Sequence, residues 1–225
     1  MIDHGAHVWT IPSALTLMPG VSLPLRTTIL RDTEGGLVVV SPVAGIDQWG
    51  REVENLGPVR AVVAPNGFHH LFARAAWERY PQATLWASGA LRRKRPDFPE
   101  ATRWLDGEAP VALAPGIVAH PVLGMAPVQE WVFLHEGSRT LVVTDLLFNI
   151  LEPGFGLGLF QRVVGTYKKL AVSRLFVRAR RDRAAFDRSL EAIAALPFER
   201  LVMAHGEPIL AGAKSLAAAA LAAGP

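Results

Sequence analysis

Four side chains of types that commonly bind metal ions each come just after a run of apolar residues. They are, in chain order, the side chains of His69, His70, Asp145 and His205. Because the ends of neighbouring strands meet at one edge of a sheet, we expect the four to lie close together. Three imidazoles and one carboxylate suit a divalent metal ion, and zinc, iron and manganese are all compatible with these donors. A metal lowers the pKa of its bound water towards about 7, so the candidate chemistry is hydrolysis by metal-bound water.

The two adjacent histidines lie at a junction between a strand and a helix. An apolar run breaks at Pro65-Asn66-Gly67, and His69 and His70 follow where a helix is predicted to begin. Such a junction directs side chains into a crevice while the sheet fixes their positions. A structural role is the alternative for each candidate: backbone bonding or solvation for the histidine pair, a turn cap for Asp145, and a backbone-bonded turn position for His205.

Short apolar segments predict strands, and segments with helical spacing predict helices. The strands cover residues 7–11, 26–30, 37–40, 59–64, 83–87, 117–122, 130–135, 140–144, 175–177 and 200–203. The helices cover residues 46–56, 71–80, a segment ending at about 170, 183–196 and 211–223. Residues 91–115 have no clear period and are predicted as a loop with a short helix. The glycine-rich residues 152–158 are predicted as a flexible lid over the site.

The predicted strands form two series, each followed by helices, which meet near residue 115. Hairpins and crossovers are mixed in this order, which favours two sheets packed face to face over one doubly wound sheet. The sequence therefore predicts one α/β (α+β) domain over residues 1–225, built as a four-layer αββα sandwich with helices outside.

The composition indicates a folded, cytoplasmic protein that acts on a small molecule. Of the 225 residues, 50% are hydrophobic and the formal net charge is only +3, so neither nucleic acid nor a membrane is expected as the main partner. The chain has no cysteine, which excludes disulfides and thiolate metal sites. It shows no leader pattern and no stretch of roughly 18–20 apolar residues. The substrate and the oligomeric state do not follow from the sequence.

One short segment of the chain is strongly basic although the net charge of the whole chain is small. It consists of Arg92, Arg93, Lys94 and Arg95. The simpler interpretation is a solvated face or a structural anchor that pairs with Asp97 and Glu100. Because the run follows the histidine pair by one predicted strand, it could also attract an anionic substrate.

The candidate ligands resemble those of the metallo-β-lactamase-fold proteins, and within them an uncharacterised lactamase-like branch, a domain of unknown function. The superfamily signature is His-x-His-x-Asp-His after a strand, then Gly-His, then an Asp ending a strand, then a late His. His70 matches the last histidine of the first motif, Asp145 the strand-end Asp, and His205 the late histidine. The resemblance covers nearly the whole chain and implies the four-layer fold of that superfamily.

The departures from the signature fall on one of the superfamily's two metal sites. Pro65 and Gly67 replace its first two histidines, and Met125 replaces the histidine of Gly-His, so that site is expected to be lost. The other site keeps a possible ligand at every position, with His69 in place of the Asp. The resemblance thus implies a single divalent metal ion, zinc by preference, held by the four ligands named above.

Three functions are compatible with this pattern. The first is a hydrolase-like enzyme with a remodelled metal site, although His69 replaces the Asp that orients the attacking water. The second is a non-catalytic descendant of the fold that binds a metal or another ligand. The third is redox chemistry on iron or manganese. Metal content separates them: zinc favours hydrolysis, iron or manganese favours redox chemistry, and no metal favours the binding protein.

Overall fold

The structure, a computed structural model, describes residues 1–126 and 128–223, and these form two β-sheets. The first sheet has seven strands whose order in the sheet is their order in the chain. They are β1 (Ile2–Asp3), β2 (Val8–Met18), β3 (Val21–Arg31), β4 (Leu37–Val40), β5 (Val59–Ala64), β6 (Thr84–Ser88) and β7 (Arg103–Leu105). The pairs from β1 to β4 are antiparallel, and those from β4 to β7 are parallel.

The second sheet has five strands in the order β12-β11-β10-β9-β8 within the described residues. They are β8 (Val111–Ala114), β9 (Ile117–Pro121), β10 (Trp131–His135), β11 (Thr140–Val143) and β12 (Arg200–Met203). Only β11 and β12 pair parallel, with Val143 opposite Met203. This parallel pairing brings the ends of β11 and β12 to the same edge of the sheet. Asp145 and His205, which come just after these ends, therefore lie near each other.

Helices cover the outer faces of both sheets. They are a 3-10 helix (Ile46–Trp49), α1 (Gly50–Leu56), α2 (Ala73–Arg79), α3 (Leu91–Lys94), α4 (Phe155–Val164), α5 (Arg174–Arg178), α6 (Arg183–Ala195) and α7 (Ala213–Ala223). None of these helices, in the part of the chain that is described, is long and apolar enough to cross a lipid bilayer.

Apolar strands buried on both faces hold the layers together. In β4, Val38 and Val40 pack against the second sheet, whereas Leu37 and Val39 pack against α1 and α2. All four are fully buried, which is why the strand is a continuous apolar run rather than an alternating one. The second sheet packs on α5, α6 and α7 by its outer face. The predicted α/β four-layer sandwich is therefore confirmed.

A strand predicted at residues 175–177 is wrong, because these residues lie in helix α5. The side chain of Ser173 accepts the backbone N–H of Leu175 at 3.2 Å and so begins the helix. Phe176 is buried in the core, whereas Leu175 is exposed. A helical pattern of burial cannot be recognised in a segment of only three residues.

The predicted lid at residues 152–158 is largely the start of helix α4, which begins at Phe155. Its Gly156 packs directly on the tip of the β2–β3 hairpin, where a Cβ atom would lie 2.3 Å from the carbonyl oxygen of Gly20. This glycine therefore serves a close approach of two backbones rather than mobility.

Two other segments also differ from the sequence expectation. The β2–β3 hairpin extends well beyond residues 7–11 and 26–30, through polar and proline-containing positions that weaken the strand pattern. Residues 91–115, predicted mostly as loop, contain β7 and β8 besides α3, so the chain changes sheets between Leu105 and Val111.

The inter-sheet core yields a stability prediction. Phe133 of β10 is fully buried between the sheets. We expect Phe133→Ala to lower the free energy of unfolding by about 3–5 kcal/mol, because it removes apolar contacts and leaves a cavity. Leu216→Ala on α7 is the control, since Leu216 is 52% exposed and should change stability by less than about 0.5 kcal/mol. Urea denaturation followed by circular dichroism measures both, and equal effects would contradict the assigned core.

Candidate metal centre

Three of the four predicted ligands converge on one point. His69, Asp145 and His205 each place a ligand atom within 4.8 Å of the other two. The two Nε2 atoms lie 3.1 Å apart. One carboxylate oxygen of Asp145 is 3.4 Å from Nε2 of His69, and the other is 3.3 Å from Nε2 of His205. Side chains separated widely in sequence thus form one compact cluster at the edge shared by β5, β11 and β12.

The ring of His205 is oriented so that Nε2 is the free nitrogen. Its Nδ1 lies 2.8 Å from the carbonyl oxygen of Pro24, which can only accept a hydrogen bond. Nδ1 therefore carries the hydrogen, and the Nε2 lone pair of the neutral ring points at the cluster. Phe148 stacks on the same ring at a centroid distance of 4.7 Å and fixes its plane. Gly206 follows at a φ of 104°, a conformation suited to glycine, so the chain turns away immediately after the histidine.

His69 is oriented in a similar way by Ser41, whose Oγ is 2.7 Å from Nδ1. When Nδ1 donates to this hydroxyl, Nε2 is the nitrogen that faces His205. Two such lone pairs at 3.1 Å repel each other unless a positive group, a proton or a metal ion, lies between them. A hydrogen-bond acceptor behind each imidazole is the usual arrangement around a metal-binding histidine.

The ionised forms of His69 and Asp145 stabilise each other. Burial lowers the pKa of His69, but the charge and hydrogen bond of Asp145 more than offset this and raise that pKa above the ordinary histidine value. Burial raises the pKa of Asp145, whereas the charges and hydrogen bonds of the two histidines hold it well below its usual range. Asp145 is therefore an anion in a largely buried site, and a positive charge beside it, from a protonated histidine or a metal ion, would offset the cost of its burial.

The spacing of the donor atoms is compatible with a metal ion. Zinc binds histidine nitrogen and carboxylate oxygen at about 2.0–2.1 Å, so tetrahedral ligands lie about 3.3 Å from one another. The two Nε2 atoms are 3.1 Å apart, and the two oxygens of Asp145 lie 3.3 Å from His205 and 3.4 Å from His69. The two imidazoles and the carboxylate are thus close enough together to bind one ion, and three protein ligands would leave one position of a tetrahedral ion open.

Asn66 connects the histidine segment to the aspartate segment. Its Oδ1 accepts the backbone N–H groups of Phe68 and His69 at 2.7 and 2.8 Å. Its Nδ2 donates to Asp145 at 2.7 Å and to Oγ1 of Thr144 at 3.0 Å. Asn66 is fully buried, so this one amide fixes the position of two ligands from two different sheets.

Glu130 holds the backbone that carries Asp145. Its carboxylate accepts the N–H groups of Thr144, Asp145 and Leu146 at 2.9 to 3.1 Å. Burial and the nearby charge of Asp145 raise the pKa of this fully buried carboxyl. Neither Glu130 nor Asn66 is among the residues predicted from the sequence. The signals present were a glutamate joined directly to an apolar strand and an asparagine in the turn before the histidines.

His70, predicted as the fourth ligand, is not brought into the cluster. Its Nδ1 lies 2.8 Å from Nη1 of Arg95, and a guanidinium can only donate. The lone pair of the neutral ring is thus on Nδ1, and Nε2 carries the hydrogen, the reverse of the arrangement at His205. Burial, Lys94 and Arg95 lower the pKa of His70 to about 4, which keeps the ring neutral at pH 7.

The basic run is used partly as a structural anchor. Arg92 pairs with Asp106, and Arg95 pairs with Asp97 at 2.7 Å as well as with His70. Arg93 is exposed. Lys94 donates to the carbonyl oxygen of Gly67 at 2.6 Å and lines the cleft above the cluster.

The three residues at the positions of the replaced signature histidines make structural contacts. The carbonyl of Pro65 accepts the N–H of Trp131 at 3.0 Å. The N–H of Gly67 donates to Val128 at 2.8 Å. Met125 is buried in the core beneath the outer helices. His120 and His135 lie on β9 and β10 outside the cluster.

The cluster lies at the floor of a cleft of about 350 Å³. Leucines of the β2–β3 hairpin form one wall, and Phe68, Leu71 and Phe72 form another. A second, mainly apolar cavity of about 230 Å³ lies under α4 and α5 and shares Leu17, Leu23, Phe68 and Asp145 with the cleft. A ligand at the cluster can therefore extend an apolar group towards α4.

Comparison by sequence matches one region of the chain to a protein family. Residues 6–91 match a family described as a domain of unknown function, DUF4336. No curated protein matches the chain at a significant level.

Comparison by structure finds similarity to metallo-β-lactamases over the whole chain. FIM-1 from Pseudomonas aeruginosa, in its mono-zinc form, has a TM-score of 0.65 at 16% identity, covering 99% of this chain and 94% of that one. The enzyme from Erythrobacter litoralis with beta mercaptoethanol in its active site has a TM-score of 0.67 at 15% identity, covering 97% and 94%. The enzyme from Hirschia baltica has a TM-score of 0.64 at 14% identity, covering 100% and 97%.

The role of Asn66 can be tested by mutation. Asn66→Ala leaves buried N–H groups and an oxygen of Asp145 without their partner, so we expect the free energy of unfolding to fall by about 2–4 kcal/mol. Gln82→Ala, an exposed amide elsewhere, should stay within about 0.5 kcal/mol of the unmodified protein. Urea denaturation measures both changes, and a neutral Asn66→Ala would show that the amide does not hold the two segments together.

Proposed function

The chain has the metallo-β-lactamase fold, and from this premise we propose that it is a metal-dependent hydrolase that uses a single metal ion. The observation that carries the proposal is the convergence of His69, Asp145 and His205 at the floor of a cleft. FIM-1 has a mono-zinc form, so one ion is compatible with this fold.

The donor set favours zinc. Two imidazole nitrogens and one carboxylate oxygen are ligands that zinc accepts, and three protein ligands with one open position are typical of catalytic rather than structural zinc sites. The same donors also bind iron and manganese, so these remain the alternative ions. Bound zinc supplies Lewis acidity and lowers the pKa of a water in the open position towards about 7.

The protein itself contributes orientation and exclusion of solvent. Pro24 and Ser41 hold the two imidazoles with Nε2 towards the centre, and Asn66 holds Asp145. The leucines of the hairpin give the cleft an apolar wall, which would limit the water around a bound substrate and strengthen electrostatic interactions there.

The cleft also indicates the class of substrate. The ammonium of Lys94 lines the cleft beside the cluster, which supports a substrate with an anionic group. The adjoining cavity of about 230 Å³ is mainly apolar and supports a substrate with a hydrophobic group next to the bond that is cleaved. We therefore propose a small amphipathic substrate that carries a hydrolysable polar group.

A non-catalytic binding protein is the second candidate, and one observation favours it. The three side chains already contact one another, with the two Nε2 atoms 3.1 Å apart, so a single shared proton could satisfy the cluster. In that case the cluster would stabilise the edge of the sheets without a metal ion.

Metal analysis separates these candidates. We expect about one equivalent of zinc in protein purified without chelator, and His205→Ala and Asp145→Ala should each weaken zinc binding by more than about 100-fold because a direct ligand is lost. Ser41→Ala should weaken it by about tenfold through His69 alone. Elemental analysis and titration calorimetry of chelator-treated protein with zinc chloride measure these effects.

Two histidine variants serve as controls. His120 lies outside the cluster, so His120→Ala should leave zinc binding unchanged. His70→Ala should also retain zinc, whereas a loss as large as that of His205→Ala would restore the four-ligand hypothesis. Absence of any bound transition metal would support the non-catalytic candidate. Zinc binding without hydrolysis of chromogenic esters or lactams, using His205→Ala as the blank, would separate metal binding from catalysis.

A further inference from the structure

Helix α4 carries an apolar stripe on its exposed face. Phe155, Leu159 and Val163 are 93%, 57% and 68% exposed, and they recur every fourth residue. This spacing places them along one side of the helix. The opposite side is buried, with Leu157 and Val164 packed inward, so the helix is apolar towards the core and also towards solvent.

Neighbouring elements extend this apolar surface. The hairpin tip packs on α4 through Gly20 and Gly156, and it exposes Leu17 and Met18 by 43% and 56%. Leu175 of α5 is 55% exposed and lines the apolar cavity together with α4. We call these six residues the α4 surface. They are Leu17, Met18, Phe155, Leu159, Val163 and Leu175.

The chain that follows this stripe is basic. Between Glu152 and Asp182 it contains seven lysines and arginines and neither aspartate nor glutamate, and one of the seven, Arg180, pairs with Asp187. Arg162, Lys168, Lys169 and Arg174 are exposed at or just after the C-terminal end of α4. Arg174 donates to the carbonyl oxygen of Val163 at 3.3 Å, so its charge lies directly beside the apolar stripe.

We propose that the α4 surface binds the surface of an anionic lipid bilayer. The apolar side chains enter the boundary between headgroups and acyl chains, and the surrounding cations contact the anionic headgroups. An exposed apolar stripe that runs from Phe155 to cations at the C-terminal end of the helix matches this interface, because one partner satisfies both the apolar and the charged parts of the surface.

A second copy of the chain fits the surface less well. A two-fold symmetric dimer would pair the α4 surface with its own copy, so the basic segments of the two copies would lie at the same interface. Such like-charge contacts are unfavourable without anions between them. The charge of residues 153–181 therefore favours an anionic partner.

This proposal differs from the expectation that no membrane is a partner. That expectation relied on the small net charge and the lack of a membrane-spanning segment. Peripheral binding requires neither, because it depends on a local amphipathic surface. The proposal is also independent of the metal centre, since none of the six residues belongs to the cluster.

Co-sedimentation with lipid vesicles tests the proposal. We expect the protein to bind vesicles of phosphatidylcholine with about 30 mol % phosphatidylserine and to bind pure phosphatidylcholine at least tenfold more weakly. Raising the salt from about 0.05 to about 0.5 M should release most of the bound protein, because the electrostatic part is screened.

Matched variants locate the surface. Phe155→Ser should weaken binding at least tenfold, because a large apolar side chain no longer enters the lipid. Lys169→Gln should weaken it about fivefold. The controls, Leu216→Ser on α7 and Arg51→Gln on α1, change exposed residues of the same types elsewhere and should bind like the unmodified protein. Circular dichroism confirms that each variant is folded.

Three results would overturn the proposal. The first is a folded protein that binds neither kind of vesicle. The second is vesicle binding that Phe155→Ser and Lys169→Gln leave unchanged, which would assign the lipid contact to another surface. The third is a dimer, detected by light scattering, that Phe155→Ser dissociates while vesicle binding is absent, which would make the α4 surface a self-association interface.

Discussion

The buried amide of Asn66 is the interaction on which the candidate centre depends. It spans the two sheets: its oxygen fixes the backbone of His69, and its nitrogen fixes the carboxylate of Asp145. Glu130 completes this arrangement by holding three consecutive N–H groups around Asp145. Because buried polar groups are costly unless each is satisfied, the network has few alternative arrangements and fixes the positions of the candidate ligands.

The partner of Nδ1 distinguishes the histidines that face the centre from the one that does not. A carbonyl behind His205 leaves its Nε2 lone pair free, whereas a guanidinium behind His70 takes up the lone pair on Nδ1. His69 and His70 are adjacent in the sequence, yet only His69 turns towards the cluster. A residue type and its place after a strand thus define a candidate ligand, and a hydrogen bond from a distant segment decides its chemistry.

The fold was predictable because its central strands are apolar on both faces, as in β4 and β5, and because resemblance to a superfamily signature supplied the layer order. The helix α5 was missed since three residues carry no measurable period. The hairpin extension was missed because its polar and proline residues do not look like a strand. The long-range contacts of Asn66 and Glu130 could not be predicted, since these partners lie 79 and up to 16 positions away and no local pattern encodes such pairs. The basic segment at residues 153–181 was visible in the sequence, but averaging charge over the whole chain concealed it.

The separation of the three candidate ligands along the chain has a consequence for folding. His69 and His205 are 136 positions apart, and Asp145 and His205 are 60 positions apart. An ion held by all three closes two long loops and removes conformational freedom from the unfolded chain, as a covalent cross-link would. The last of these ligands follows β12, which pairs with β11 late in the chain. The three side chains therefore come together only after β12 has paired with β11. An ion at this site would stabilise the completed fold rather than guide its formation.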